Sequence, residues 1–97
     1  MSKQSKFWDE TLKPKLQEVH KAFEGIDGVS QHYIGSAMFY VEHDLADDRD
    51  PRFRILQVQG TFSDQGFLAL WKEHPELQKK IQDVCPLIKE FMGIENE

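Results

Sequence analysis

Hydrophobic residues near the N-terminus recur with the spacing of an amphipathic helix. The series is Trp8, Leu12, Leu16, Val19 and Phe23. Intervals of four, four, three and four residues place these side chains on one stripe of a helix. Pro14 lies inside the series, so we expect either a kink near residues 10–13 or a helix that begins with Pro14 in its first turn. Gly25 is expected to end this helix.

A second helical stripe occupies the C-terminal part of the chain. Its members are Leu77, Ile81, Val84, Ile88 and Phe91. They recur at intervals of four, three, four and three, which predicts a helix that starts at Pro75, carries a kink at Pro86 and ends at Gly93. A shorter helix is expected to precede it, with Ser63 as its N-cap and its end near His74.

The middle of the chain has the composition of β-strands. Residues 29–43 are rich in aromatic and β-branched side chains, and Gly35-Ser36 is compatible with a bulge in one strand or a turn between two. Residues 53–62 predict a further strand. One face would carry Leu56, Val58 and Phe62, and the other Ile55, Gln57 and Gln59. We therefore predict an α+β fold, with a small antiparallel sheet of two or three strands packed with three helices in the order α-β-(β)-β-α-α.

Length and composition predict one ordered domain over residues 1–97. The chain is too short for two well-packed cores. Hydrophobic residues make up 39% of it, which is enough for a folded core. The net charge of −5 disfavours direct binding to nucleic acid or an anionic membrane and favours a basic protein as partner. We expect a monomer.

The predicted location is the cytoplasm. Cys85 is the only cysteine, which rules out an intramolecular disulfide and suits a reducing compartment. The first residues are charged and lack the apolar run of a signal peptide, and no stretch reaches the roughly 18–20 apolar residues of a membrane span.

The acidic segment, residues 42–50, is the most distinctive stretch of the chain. Its carboxylates are Glu42, Asp44, Asp47, Asp48 and Asp50. Arg49 is the only arginine or lysine within it, and Pro51 follows. We expect this segment to form the hairpin loop between two strands and to bind a partner. The alternative is an ordinary surface turn, since turns favour Asp for backbone reasons.

No pattern typical of catalysis or metal binding is present. The four histidines and Cys85 do not occur at the short paired spacings of zinc ligands. The acidic segment lacks the central Gly and distal Glu of a calcium loop. Cys85 has no neighbouring cation that would activate it, so a buried, inert thiol is expected. The sequence therefore predicts no enzyme activity, no metal and no cofactor.

Carboxylates at alternate positions of a strand lie about 6–7 Å apart, a spacing comparable to that of successive phosphates on a nucleic-acid strand. In size, acidity, α+β order and lack of a catalytic motif, the chain resembles the small phage-encoded anti-CRISPR proteins, particularly the nucleic-acid mimics directed at type I-F surveillance complexes. The resemblance covers general character and carries over no contact residue. It implies a stoichiometric inhibitor, acting in the host cytoplasm, that blocks DNA binding by a Cas ribonucleoprotein complex.

Two other functions stay open. An immunity protein for a basic nuclease toxin would use the same acidic charge together with aromatic hot spots, for which Tyr33 and Tyr40 are available. A structural or dimerising domain would use a strand edge or an apolar patch in residues 34–41. Binding through charge weakens steeply with salt, whereas apolar dimerisation does not.

Overall fold

The computed structural model describes residues 3–26 and 28–94, and the regular structure of this part of the chain is helical, without a strand. The elements are α1 (Lys3–Phe7), a π-helical segment (Trp8–Leu12), α2 (Lys13–Ala22), α3 (Gly28–Ala46), α4 (Arg52–Phe62), α5 (Gln65–Lys72) and α6 (Pro75–Met92). The predicted α+β fold with an antiparallel sheet is therefore wrong. The order α-β-(β)-β-α-α fails at every β position, because α3 and α4 occupy the segments predicted as strands.

Helix α3 replaces the strand or hairpin predicted for residues 29–43. Ile34 and Val41 are fully buried, and Met38 and Leu45 pack against the core beside them. Their intervals of four, three and four residues are helical, so burial on one helix face outweighs the β-rich composition. Gly35 marks neither a bulge nor a turn. A Cβ atom at Gly35 would lie 3.0 Å from His20 Nε2, so glycine allows α3 to approach α2 closely.

Helix α4 replaces the strand predicted for residues 53–62. Ile55, Val58 and Phe62 are buried at intervals of three and four residues. The strand interpretation placed Leu56 on the same face as Val58 and Phe62, but Leu56 is 52% exposed, and Ile55, which it placed on the opposite face, is fully buried. Val58 and Phe62 fit both an alternating strand pattern and a helical pattern, so these two residues made the helix resemble a strand.

The N-terminal stripe is confirmed, and Pro14 explains the irregular turn within it. All five stripe residues are buried. The Lys13 N–H donates to the Trp8 carbonyl, a bond that spans five residues instead of four. Pro14 follows directly in α2, which continues from the π-helical segment without a break, so its missing N–H leaves one backbone bond of the helix unmade. The wider π-helical turn is how the helix accommodates the proline ring.

The helices share one core, in which α2 and α6 make the most extensive contact. The C-terminal stripe is buried as predicted, with Pro75 opening α6 and Gly93 at its C-cap. Aromatic clusters occupy two regions of this core. Phe91 lies 6.1 Å from Phe7 and 6.4 Å from Trp8, between ring centroids. The second cluster is Phe23, Phe62 and Phe67, with centroid distances of 5.4 and 5.6 Å.

The start of α5 differs from the prediction by one residue. Asp64, which has an extended backbone, is the N-cap. Ser63 instead ends α4, and its hydroxyl donates to the Gln59 carbonyl at 3.1 Å.

Candidate partner-binding surface

The acidic segment spans the last turns of α3 and the connection to α4. Residues 42–46 are helical, and residues 47–51 form the connection. It is therefore a link between helices, and the predicted hairpin loop is wrong. The Arg49 N–H donates to the Asp44 carbonyl at 2.8 Å as the helix ends. Asp48 adopts φ +55°, in the left-handed region that Asp tolerates better than most residues.

Cations from three parts of the fold pair with these carboxylates. Glu42 forms an ion pair with Lys13. Asp44 is shared between Arg49, whose Nη2 lies 3.6 Å from Oδ1, and Arg54, whose Nε lies 3.9 Å from Oδ2. The Asp44 side chain is the most covered of the paired carboxylates, at 14% exposed.

The remaining carboxylates belong to the connection. Asp47 Oδ2 lies 3.0 Å from Arg49 Nη2 and 3.5 Å from His43 Nδ1. Asp50 pairs with Arg52 at 2.6 Å. Asp48 has no ion pair among the described residues. Among the described residues, four of the five carboxylates thus pair with the four cations Lys13, Arg49, Arg52 and Arg54, and Asp48 leaves one negative charge in excess.

Asp50 contributes to the contact between the α3–α4 connection and the end of α6. The hydrogen bond from the Arg52 side chain is the main cause that lowers the pKa of Asp50, and the Gln4 side chain contributes in the same direction. Gln4 is fully buried and donates to the Ile94 carbonyl at 3.2 Å. Arg52 also donates to the Met92 carbonyl at 3.5 Å. Asp50 therefore helps to join the α3–α4 connection to the end of α6.

An aromatic surface, defined as Phe39, Tyr40 and Phe53, lies beside the acidic segment. These side chains are 60%, 46% and 63% exposed. The rings of Phe39 and Tyr40 meet edge to face with centroids 5.6 Å apart. The guanidinium carbon of Arg54 lies 4.6 Å from the Tyr40 centroid and 5.9 Å from that of Phe53. Arg54 thus connects the aromatic residues of α3 and α4.

Two residues join the aromatic surface to the acidic segment. Arg54 contacts both Tyr40 and Asp44. His43 lies between Phe39, at 5.6 Å between centroids, and Asp47. Tyr40 was identified from the sequence, and Phe39 and Phe53 were missed. On a strand, Phe39 and Tyr40 would point to opposite faces, so the strand interpretation did not place them on one surface. Tyr33, the other predicted hot spot, is half-buried and packs against the core.

The described residues provide no metal centre and no activated thiol. Within residues 3–26 and 28–94, no three His, Cys, Asp or Glu side chains cluster as metal ligands would. Cys85 is exposed, so its predicted burial is wrong, although partial burial of the thiol raises its pKa. A higher pKa lowers the thiolate fraction and hence the reactivity.

No protein-family model matches the chain, and comparisons with curated proteins and with solved structures find no match. The helices of the described residues include none whose length and apolar character would let it cross a bilayer.

Proposed function

We propose that this chain is a non-catalytic inhibitor that binds the basic, nucleic-acid-binding surface of another protein. The observation that carries the proposal is the continuity of the aromatic surface with the acidic segment. Phe39 and Phe53 expose more than half of their area, yet they are among the most apolar side chains of the chain. Adjacent exposed aromatic residues are typical of protein interfaces rather than of free surface.

The two parts of the surface have different roles. Buried aromatic side chains supply most of the affinity at a typical interface hot spot. Carboxylates beside them attract a basic partner from a distance and exclude acidic ones. Asp48, together with the overall charge of −5, provides the negative field at the connection.

The ion pairs bear on which partner is favoured. A row of carboxylates that imitates phosphates is weakened by the four cations that face it. Aromatic residues beside acidic ones are the arrangement expected of an immunity protein for a basic nuclease. A single nuclease is therefore our first candidate partner. A CRISPR surveillance complex is our second candidate partner. Exposed ion pairs are weak, so a partner's cations can replace the chain's own cations at these carboxylates.

Competition with nucleic acid tests the proposal. The chain is used to capture partners from a host lysate at low and moderate salt, and a captured nuclease or Cas complex is purified and offered labelled DNA duplex together with the chain. We expect the chain to displace the duplex at a stoichiometric ratio. Simultaneous binding of both at saturation, or capture only of a second copy of the chain, contradicts the proposal.

Charge reversal provides the matched control. Asp47→Lys with Asp48→Lys should abolish competition without unfolding the chain, because the connection contributes little to the core. Glu76→Lys with Asp83→Lys makes the same charge change at exposed positions of α6 and should leave most of the competition intact. Equal loss in both double variants would mean that only net charge matters and would overturn the assignment of the surface.

A further inference from the structure

We propose that the aromatic surface recognises an arginine side chain of its partner, in preference to lysine. This inference rests on the proposed function, since it names the group that a basic partner inserts. Its basis is the geometry with which the surface already holds an arginine of its own chain.

Arg54 contacts this surface from within the chain. Its guanidinium lies over the ring of Tyr40 and within reach of the ring of Phe53, while its Nε faces the carboxylate of Asp44 at 3.9 Å. An aromatic face and a carboxylate therefore converge on one planar cation. A guanidinium can stack on the ring and still direct N–H groups in its own plane to the carboxylate, whereas an ammonium group cannot stack.

A similar combination lies beside the first, where α3 ends and the connection begins. Phe39 and Asp47 converge on His43, with 5.6 Å between the two ring centroids and 3.5 Å between His43 Nδ1 and Asp47 Oδ2. Here the central group is the exposed imidazole of His43, which is smaller than a guanidinium and offers fewer N–H donors. This second position is consequently the one where a partner's arginine would find an exposed ring and a carboxylate together.

An incoming arginine must displace the His43 ring, whose side chain is 58% exposed, and the Arg49 guanidinium. Asp47 pairs with Arg49 at 3.0 Å, but both side chains are more than half exposed. Ion pairs of this kind contribute little to stability, so exchanging Arg49 for a partner's arginine is nearly neutral. The gain comes from stacking on Phe39, which is 60% exposed. Asp48, next in the chain, adds a carboxylate that has no ion pair among the described residues.

Two peptides of equal length and charge test the inference. One contains four Gly-Arg repeats and the other four Gly-Lys repeats, and each is titrated into isotope-labelled protein at pH 7.5 in low salt while aromatic and amide NMR signals are followed. We expect the arginine peptide to bind about two- to fivefold more tightly, the range that one exposed cation–π contact supplies. The largest shifts should occur at Phe39 and His43.

Two variants assign the preference. Phe39→Leu should make the two peptides equal in affinity, because it keeps an apolar side chain but removes the ring. Val29→Ala, a change at another exposed apolar position of α3, should leave the preference intact. Equal affinity of both peptides for the native chain, or binding of neither, overturns the inference. Equal affinity of the two peptides would not contradict the proposed function. An arginine preference without competition against DNA would contradict the proposed function and leave the inference about arginine intact.

Discussion

Asp50 and Arg52 form a bidentate ion pair at the start of α4. Arg52 Nη2 lies 2.6 Å from Asp50 Oδ2, and Arg52 Nε lies 3.0 and 2.9 Å from the two carboxylate oxygens. The backbone N–H of Arg52 also donates to Oδ1 at 3.0 Å. The carboxylate therefore accepts from an N–H of the first turn of α4 and faces the positive end of the helix dipole.

The first prediction concerns the pH dependence of stability. The folded-state pKa of Asp50 lies below its ordinary value, so its ionised form stabilises the folded state above the unfolded pKa of about 3.9. That contribution is lost as the pH falls through the lower, folded pKa. Asp50→Asn should consequently be less stable than the native chain at pH 7, and the difference should shrink below about pH 4.

Urea unfolding at pH 7 and at pH 3 measures this difference. Asp48→Asn is the control, because Asp48 has no ion pair among the described residues. A destabilisation by Asp50→Asn that is the same at both pH values would show that the shape of the side chain matters and its charge does not.

A second prediction concerns the core. Phe23 and Ile81 are almost fully buried in the stripes of the N-terminal and C-terminal helices. Replacing either with Ala removes apolar contacts and leaves a cavity, so we expect a loss of about 2–5 kcal/mol in the free energy of unfolding. Val29→Ala, at an exposed position, should change it by less than about 0.5 kcal/mol. An unchanged thermal midpoint in either buried variant would contradict the packing described for that stripe.

A third prediction concerns the backbone at Asp48. A β-branched residue is strained at φ +55°, so Asp48→Val should destabilise the chain by about 1–2 kcal/mol. Asp48→Gly removes the same charge but accepts this conformation, and it should be close to neutral. Thermal unfolding of both variants separates the two effects. Equal losses would mean that the carboxylate, and not the backbone, is what the connection requires.

The sequence pattern predicted the helices whose exposed faces carry mainly charged residues. It did not predict the helices whose exposed faces also carry aromatic residues. The stripes from Trp8 to Phe23 and from Leu77 to Phe91 are surrounded by charged residues, so their period is visible. In α3 and α4 the buried series is interrupted by Phe39, Tyr40 and Phe53. These side chains add apolar positions at strand-like intervals and hide the helical period. The error therefore falls on the proposed functional surface, where local rules are most often broken.

The cations that pair with the acidic segment could not all be predicted from the sequence, for a related reason. Arg49 is a neighbour in the chain and was evident. Lys13 and Arg54 come from other helices, and only the packing of α3 between them brings these cations to Glu42 and Asp44. A strand at residues 53–62 would have directed alternate side chains to opposite faces, so it gave no basis for expecting Arg54 at Asp44.

The last prediction concerns the π-helical segment. The bond from the Lys13 N–H to the Trp8 carbonyl spans five residues, so this turn contains one residue more than an α-helical turn. Deleting the exposed Glu10 would let the same two groups bond at α-helical spacing and would keep both halves of the buried stripe in register. Pro14 would then meet the Asp9 carbonyl at the α-helical position, where its ring clashes, so the deletion alone should cost about 3 kcal/mol.

Combining the deletion of Glu10 with Pro14→Ala should remove that clash and bring the melting temperature to within a few degrees of that of Pro14→Ala alone. Deleting the exposed Gln17 is the matched control, because it removes one residue from a regular α-helical turn. It would rotate the preceding residues by about 100° and turn Trp8 and Leu12 away from the core, so we expect loss of the folded state. Circular dichroism during heating compares the variants. If both deletions unfold the chain equally, the π-helical turn is not a one-residue insertion in the helix, and the role assigned to Pro14 is wrong.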